Sequence, residues 1–175
     1  MAATPAREVA LEVLRAVADR GAYANLLLPS LLGERGLHGR DAALATELAY
    51  GTLRGRGTYD AVLAACSTRA LTDIDPPLLD VLRLGTHQLL ATRIAPHAAV
   101  ATSVALARAA AGAGAAGFAN AVLARPGTAH RATWGRVPFA ASAASVRGRP
   151  VTGSSPSASL TAATIQPGWL VLTAR

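Results

Sequence analysis

Apolar residues recur at helical spacing through the first two thirds of the chain. Val9, Val13 and Val17 are four residues apart and therefore share one face of a helix. Pro5 suits the first position of this helix, where a missing N–H is tolerated, and Gly21 suits its end. The pattern predicts a first helix that begins at Pro5 and stops at Gly21.

A second apolar pattern lies in residues 39–54, the segment around which the rest of the chain is organised. Leu44, Leu48 and Gly51 recur at i, i+4 and i+7, so they form one stripe of a helix. This stripe is predicted to lie in the core, with Gly51 allowing a neighbouring helix to come close. The Gly-Arg-Gly segment at 55–57 is predicted to end the helix.

Charged residues form a separate stripe on the same predicted helix. Arg40, Glu47 and Arg54 are seven residues apart, which places them on one polar face. One interpretation is a solvated face with charge pairs along the helix. The other is a basic surface that binds nucleic acid.

The remaining pattern predicts an all-α fold. Asn25 is placed to cap a second helix at 26–32, which is apolar nearly all round and is therefore expected to be buried, with Pro29 in its first turn. Further helices are predicted at 58–65, 78–91, 96–107 and 118–123, with a flexible loop at 111–117. The total is about seven helices.

The side chains predict no catalytic, cofactor or metal site. Cys66, the single cysteine, lies on an apolar face and is expected to be a core residue. His87 and His97 have no carboxylate within a helical turn, so both are expected to be structural. Residues 112–117 match Gly-x-Gly-x-x-Gly, but dinucleotide binding requires a preceding strand and an acid about 20 residues later. Here a helix is predicted to precede the motif, and no acid follows Asp80.

Amino-acid composition restricts the kind of protein this can be, but it does not identify a binding partner. The chain is 51% hydrophobic but only 4% aromatic, so alanine, leucine and valine must fill the core. A single cysteine fits a reducing, cytoplasmic setting, and we expect no signal peptide or membrane span, since the apolar run at 94–107 is too short. Up to residue 123 there are 11 arginines and 10 acids, a net charge of +1; beyond it there are 6 arginines and no acid, a net charge of +6.

The composition changes abruptly near residue 125. Residues 125–175 contain five prolines, five glycines, six serines, six threonines and no acid, and they show no sustained helical or strand period. Such a segment cannot bury enough apolar area to offset chain ordering. We expect one domain at 4–124 and a disordered or out-of-frame tail at 125–175.

Several motifs between residues 4 and 123 form a specific combination. They are Arg7-Glu8-Val9-Ala10, Tyr23-Ala24-Asn25, Arg40-Asp41, Glu47-Leu48-Ala49-Tyr50-Gly51-Thr52-Leu53-Arg54, Leu82-Arg83-Leu84-Gly85-Thr86-His87-Gln88-Leu89-Leu90, Ile94-Ala95-Pro96-His97-Ala98-Ala99-Val100 and Gly117-Phe118-Ala119-Asn120-Ala121-Val122-Leu123. This combination resembles the NusB-like domain of the RsmB (Sun/Fmu) family of rRNA (cytosine-5) methyltransferases.

The resemblance implies a NusB-like helical bundle that helps bind small-subunit rRNA. In the family a second domain follows, which binds S-adenosylmethionine and uses two cysteines to methylate cytosine. This chain has one cysteine, so we expect no cofactor, no metal and no methyl transfer, and we interpret the chain as a truncated or frameshifted product.

The predicted RNA contacts are arginines with few acids beside them: Arg7, Arg40, Arg54 and Arg56. The alternative is a module of the same fold that binds a protein partner, as NusB does in transcription antitermination. The near-neutral charge of the first 123 residues favours this alternative.

Overall fold

The structure, a computed structural model, describes residues 4–128. Within this range five α-helices follow one another: α1 Pro5–Arg20, α2 Ala24–Glu34, α3 Gly39–Cys66, α4 Pro76–Ala91 and α5 Pro96–Thr128, with a short 3-10 turn at Leu71–Asp73. The described residues contain no strand, so the predicted all-α class is confirmed. The predicted count of about seven helices is wrong. The prediction of a disordered tail falls almost wholly on residues outside the described range.

The predicted break at 55–57 is wrong because α3 continues through it for 28 residues, from Gly39 to Cys66. A Cβ atom added at Gly55 would lie 2.5 Å from the Tyr59 ring, one turn further along the helix. The glycine therefore makes room for a buried aromatic side chain. A glycine needed for packing cannot be told from a terminating glycine by sequence alone.

The predicted loop at 111–117 is mostly helical, but a break between two helical segments does occur within it, at Gly112. Only Gly112 departs from helical geometry, with φ 86° and ψ −176°, a conformation that side chains other than hydrogen strongly disfavour. The kink divides α5 into two arms. Both arms pack against α4 at Gly85, where an added Cβ atom would lie 2.7 Å from Leu123 and 2.9 Å from Ser103.

The leucine-rich helix α2 is only half-buried, contrary to the prediction. It begins one residue before Asn25, so that residue is not its cap, and Pro29 lies inside the helix. Leu28 and Leu31 pack into the core, whereas Leu26 is 69% exposed. The helix is apolar nearly all round, but only one of its faces packs against other helices. Its apolar sequence alone therefore did not predict how much of it is buried.

The core is centred on α3 and α4. The predicted apolar stripe of α3 is confirmed, with Leu48 and Gly51 buried and Leu44 half-buried. Every residue from 80 to 89 of α4 is buried, since α1, α3 and α5 all contact this helix. Over Pro96–Arg125, α5 is long and apolar enough to cross a membrane by length and composition, and 28% of its most apolar stretch is buried; within the bundle it packs against α4.

Candidate nucleic-acid interface

The charged stripe of α3 lies on the protein surface. Arg40, Glu47 and Arg54 are all exposed. Because an α-helix rises 1.5 Å per residue, the two arginines are about 21 Å apart along the helix axis, with the acid halfway between them. Guanidinium groups at this separation can contact two different phosphates of one RNA. We call Arg40, Glu47 and Arg54 the α3 face.

Arg56 is exposed but does not belong to the α3 face. Two residues of a helix subtend about 200°, so Arg54 and Arg56 point to nearly opposite sides of α3. Arg56 lies beside Asp80 and Arg83 at a cavity of about 10 Å³ that is also lined by Thr52. The structure therefore brings Arg40 and Arg54 onto one face and separates Arg56 from both.

Arg7 is a buried side chain, only 7% exposed. Its Nε donates a hydrogen bond to Gln88 Oε1 at 2.8 Å, and its Nη1 donates to Thr4 Oγ1 at 2.8 Å. Burial lowers the pKa of Arg7 from its ordinary value. The prediction of Arg7 as an RNA contact assumed an exposed guanidinium group, and that assumption is wrong: the side chain links α1 to α4.

A histidine lies directly beneath the α3 face. His87 of α4 is 2% exposed, with Nδ1 2.7 Å from the Tyr59 hydroxyl oxygen and Nε2 3.5 Å from Glu47 Oε1. Gly51 leaves space for the ring, since an added Cβ atom would lie 2.3 Å from His87 Cε1. Among the described residues His87 Nε2 is buried without a hydrogen-bond partner, so Glu47 is its nearest charged neighbour but is not fixed by it.

Burial determines how this cluster titrates. Desolvation lowers the pKa of His87, and the negative charge of Glu47 opposes that effect only in part. Desolvation also raises the pKa of Tyr59 to about 12. At neutral pH His87 is therefore uncharged and Tyr59 protonated. Sequence reasoning missed the carboxylate beside His87 because Glu47 belongs to another helix.

A second polar cluster joins α3 to α4. Arg83 donates two hydrogen bonds to Asp60, from Nε at 2.7 Å and Nη2 at 3.0 Å, and a third from Nη1 to Asp80 at 2.9 Å. Burial alone would lower the pKa of Arg83, but these hydrogen bonds outweigh it and the pKa is raised. The cluster holds one arginine and two acids in the structure. Only the three-residue spacing of Asp80 and Arg83 could have signalled it.

The described residues contain one cysteine, which is buried, and no group that could hold a metal ion. No group of three or more histidine, cysteine or acidic side chains among them could hold a metal ion. Cys66 is 4% exposed, as predicted for a core residue, and burial raises the pKa of its thiol. The Gly-x-Gly-x-x-Gly motif lies inside α5 and follows a helix.

Known proteins resemble the chain over the same residues that form the helical bundle. Residues 4–126 match the NusB family. The chain belongs to the NusB family. This confirms the resemblance seen in the motifs, and the matched range ends close to the predicted boundary at residue 124.

NusB-family relatives with similar sequences are much longer proteins. A Mycobacterium tuberculosis protein named as a methyltransferase is 59% identical over 119 residues, which cover 68% of this chain and 26% of the relative. The ribosomal RNA small subunit methyltransferase B of Yersinia enterocolitica is 32% identical over 98 residues, covering 56% of this chain and 22% of the relative. The chain thus spans about a quarter of the length of these relatives.

Solved structures share the fold of this NusB-family chain. The crystal structure of the antitermination factors NusB and NusE in complex with dsRNA contains a chain that superposes with a TM-score of 0.64 at 23% identity, covering 72% of this chain and 96% of the other. A chain in the crystal structure of a plectonemic RNA supercoil superposes with a TM-score of 0.65, also at 23% identity. At this identity the likeness establishes the fold alone.

Proposed function

We propose that this NusB-family chain is an RNA-binding module for structured small-subunit rRNA and that the α3 face contacts the RNA. The observation that carries the proposal is the pair of exposed arginines, Arg40 and Arg54, on one side of α3. The names of the relatives support rRNA as the target class, and the NusB complex with dsRNA supports RNA binding by the fold.

The charge distribution favours a local contact over general attraction. Residues up to 123 carry a net charge of only +1, so the bundle as a whole attracts a polyanion weakly. Glu47 also lies between the two arginines of the α3 face. Binding would therefore depend on guanidinium groups that fit particular phosphates.

The other two arginines predicted to contact RNA, Arg56 and Arg7, are not part of the α3 face. Arg56 remains a separate candidate because it lies on another side of α3 and would need a second RNA segment. Arg7 is left out, since its guanidinium group is buried against Gln88.

We further propose that the chain does not catalyse methyl transfer and acts in the cytoplasm without a cofactor. Support comes from a match confined to the NusB family and from a single, buried cysteine. Residues 125–175 are proposed to be the product of a shifted reading frame, because every acid disappears there. Reading the DNA beyond codon 124 in the other two frames tests this: a continuation similar to the methyltransferase relatives is expected, and its absence would contradict the frameshift.

The RNA-binding proposal can be tested with two variants of equal charge. In the full chain, the Arg40→Gln/Arg54→Gln variant should weaken binding to a structured rRNA fragment and reduce the salt slope by about two phosphate contacts. The Arg15→Gln/Arg20→Gln variant, with both exposed arginines on α1, serves as the control. Equal weakening by the two variants would mean that RNA responds to net charge only and would overturn the assignment of the α3 face.

A protein-binding role is the alternative, and one observation favours it. Tyr23 and Leu26 at the start of α2 are 74% and 69% exposed, an unusual exposure for large apolar side chains. NusB is found with a partner protein, NusE, in a solved complex. If a Tyr23→Ser/Leu26→Ser variant lost binding to a NusE protein while RNA binding by the parent was absent, the antitermination role would replace the RNA-binding proposal.

A further inference from the structure

A polar cavity of about 450 Å³ lies away from the α3 face, between the segment that follows α3 and the kinked helix α5. Arg69, Asp73 and Asp75 line one side, and Gly114 and Phe118 of α5 line the other. The volume falls within the usual range for small-molecule sites, about 300 to 1,000 Å³. We call it the α5 cavity.

One wall of the α5 cavity is an arginine laid over an aromatic ring. The Arg69 Cζ atom lies 5.1 Å from the centre of the Phe118 ring. The Arg69 backbone is held by the Ser67 hydroxyl, which accepts from Arg69 N–H at 3.0 Å and donates to Arg69 C=O at 2.8 Å. Because Arg69 is exposed while Phe118 is half-buried, the guanidinium plane offers a surface on which a flat group can stack.

The other charged groups of the cavity are the carboxylates of Asp73 and Asp75. Within the described residues, no ion pair joins Asp73 or Asp75 to an arginine. Asp73 accepts only a long hydrogen bond, 3.3 Å from Thr72 Oγ1, and Asp75 occupies the N-cap position of α4 without a side-chain hydrogen bond. Both are exposed and free to accept hydrogen bonds from a ligand.

These groups together select the chemistry of the ligand. Two acids and one arginine give the cavity a net charge of −1, which disfavours a phosphate inside it. A flat group that stacks on Arg69 and donates to Asp73 or Asp75 fits better. Carboxylates accept hydrogen bonds from the amino groups of nucleobases, as in aspartate or glutamate contacts to cytosine N4.

We propose that the α5 cavity binds one unpaired RNA base that carries an exocyclic amino group. The base stacks on the Arg69–Phe118 pair, its amino group donates to Asp73 or Asp75, and its phosphate stays outside. Cytosine, adenine and guanine meet this requirement, whereas uracil has no amino group. The inference rests on the proposed RNA-binding function and adds a base-reading site to it.

The test compares two fluorescein-labelled oligonucleotides, rC8 and rU8, binding to the full chain by fluorescence anisotropy. The two probes carry the same charge, so contacts to phosphate, including those of the arginine-rich tail, affect both equally. The ratio of their dissociation constants therefore reports base recognition. We expect the parent to bind rC8 about fivefold or more tightly than rU8, the low end of discrimination by one base contact.

Three variants locate the effect. Asp73→Asn/Asp75→Asn keeps side-chain size and a good N-cap for α4, and it should bring the ratio to about 1 because an amide can also donate to uracil oxygens. Gly114→Leu should do the same by filling the cavity, since no atom lies within 4 Å of the added Cβ position. Gly117→Leu is the matched control, because Gly117 is an equally open glycine of α5 outside the cavity lining, and it should keep the parental ratio.

The outcomes separate this inference from the function on which it rests. A parental ratio of about 1, or a ratio that Gly114→Leu leaves unchanged, would overturn the base site while structured rRNA could still bind at the α3 face. Loss of all RNA binding by the parent would overturn both. A helical circular dichroism spectrum shows that each variant is folded.

Discussion

Replacing Gly51 with alanine sets two opposite effects against each other. Alanine is favoured over glycine inside a helix by about 1 kcal/mol. The added methyl group would, however, lie 2.3 Å from Cε1 and 2.4 Å from Nε2 of His87, a separation at which something must move. The His87 ring is buried and hydrogen-bonded to Tyr59, so moving it costs free energy.

The cost of the close contact with His87 is expected to exceed the gain from the higher helix propensity of alanine. Overpacking in a core costs about 1 to 3 kcal/mol. If the ring shifts away from Tyr59, an unpaired buried hydroxyl adds about 1 to 3 kcal/mol. With both costs present and the gain in helix preference of about 1 kcal/mol subtracted, Gly51→Ala should destabilise the fold by about 1 to 5 kcal/mol, a large part of a small domain's stability.

Urea denaturation followed by circular dichroism measures this change, and two comparisons assign its cause. Gly117→Ala, in open space on α5, should be neutral or stabilising by up to about 1 kcal/mol. In a His87→Ala background the methyl group has no ring to meet, so Gly51→Ala should then cost nothing further. If Gly51→Ala stabilised the parent, or cost the same with and without the His87 ring, the close contact between α3 and α4 would be refuted.

Three further predictions concern the core and its charges. Leu48→Ala, at a fully buried position, should cost about 2 to 5 kcal/mol in urea denaturation, whereas Leu26→Ala, at a position 69% exposed, should change stability by less than about 1 kcal/mol. Because the folded pKa of His87 lies below its unfolded value of about 6.5, the unfolded state binds more protons, and stability should fall as the pH decreases below that value. A His87→Gln variant should lose less stability between about pH 7 and pH 5, and an equal loss would contradict the shift. Arg83→Ala leaves Asp80 buried without its partner and should cost about 3 to 5 kcal/mol in urea denaturation. The Arg83→Ala/Asp80→Ala variant should cost less than the sum of the two single changes, and a cost equal to that sum or greater would contradict the coupling.

Prolines and glycines in the sequence predicted the helix ends that depend only on neighbouring residues. Pro5 and Gly21 bound α1, and Gly21 adopts the left-handed conformation, φ 62°, that its end requires. For α4, predicted at 78–91, the helix begins two residues earlier, at Pro76, with Asp75 in the N-cap position. Each signal acts through the backbone of its own neighbours, so it can be recognised without knowing the fold.

Features set by distant residues could not be predicted in this way. The chain stays helical at Gly55, where the glycine leaves room for the Tyr59 ring one turn away. At Gly112 the backbone leaves helical geometry, and a kink joins two helical segments. The same limit applies to the candidate site. Arg7 meets Gln88 across 81 residues of chain, so its burial became evident only once α1 and α4 were placed together.

The exposed stripe of α3, in contrast, followed from spacing alone. Seven-residue separation places Arg40, Glu47 and Arg54 on one side of any straight helix, and all three are exposed. Spacing could not predict the His87 ring beneath Glu47. The separation of Arg56 from Arg54 around α3 was missed for another reason: the helix was predicted to end at 55–57, whereas it continues to Cys66.

The central claim is that RNA contacts the α3 face, and an NMR titration tests it most directly. The full chain, labelled with ¹⁵N, is titrated with a structured small-subunit rRNA fragment, and amide and arginine Nε shifts are followed. Changes are expected to concentrate at Arg40, Glu47 and Arg54, with little change at Tyr23 and Leu26. Shift changes confined to the arginines beyond residue 125, or centred on α2, would contradict the claim.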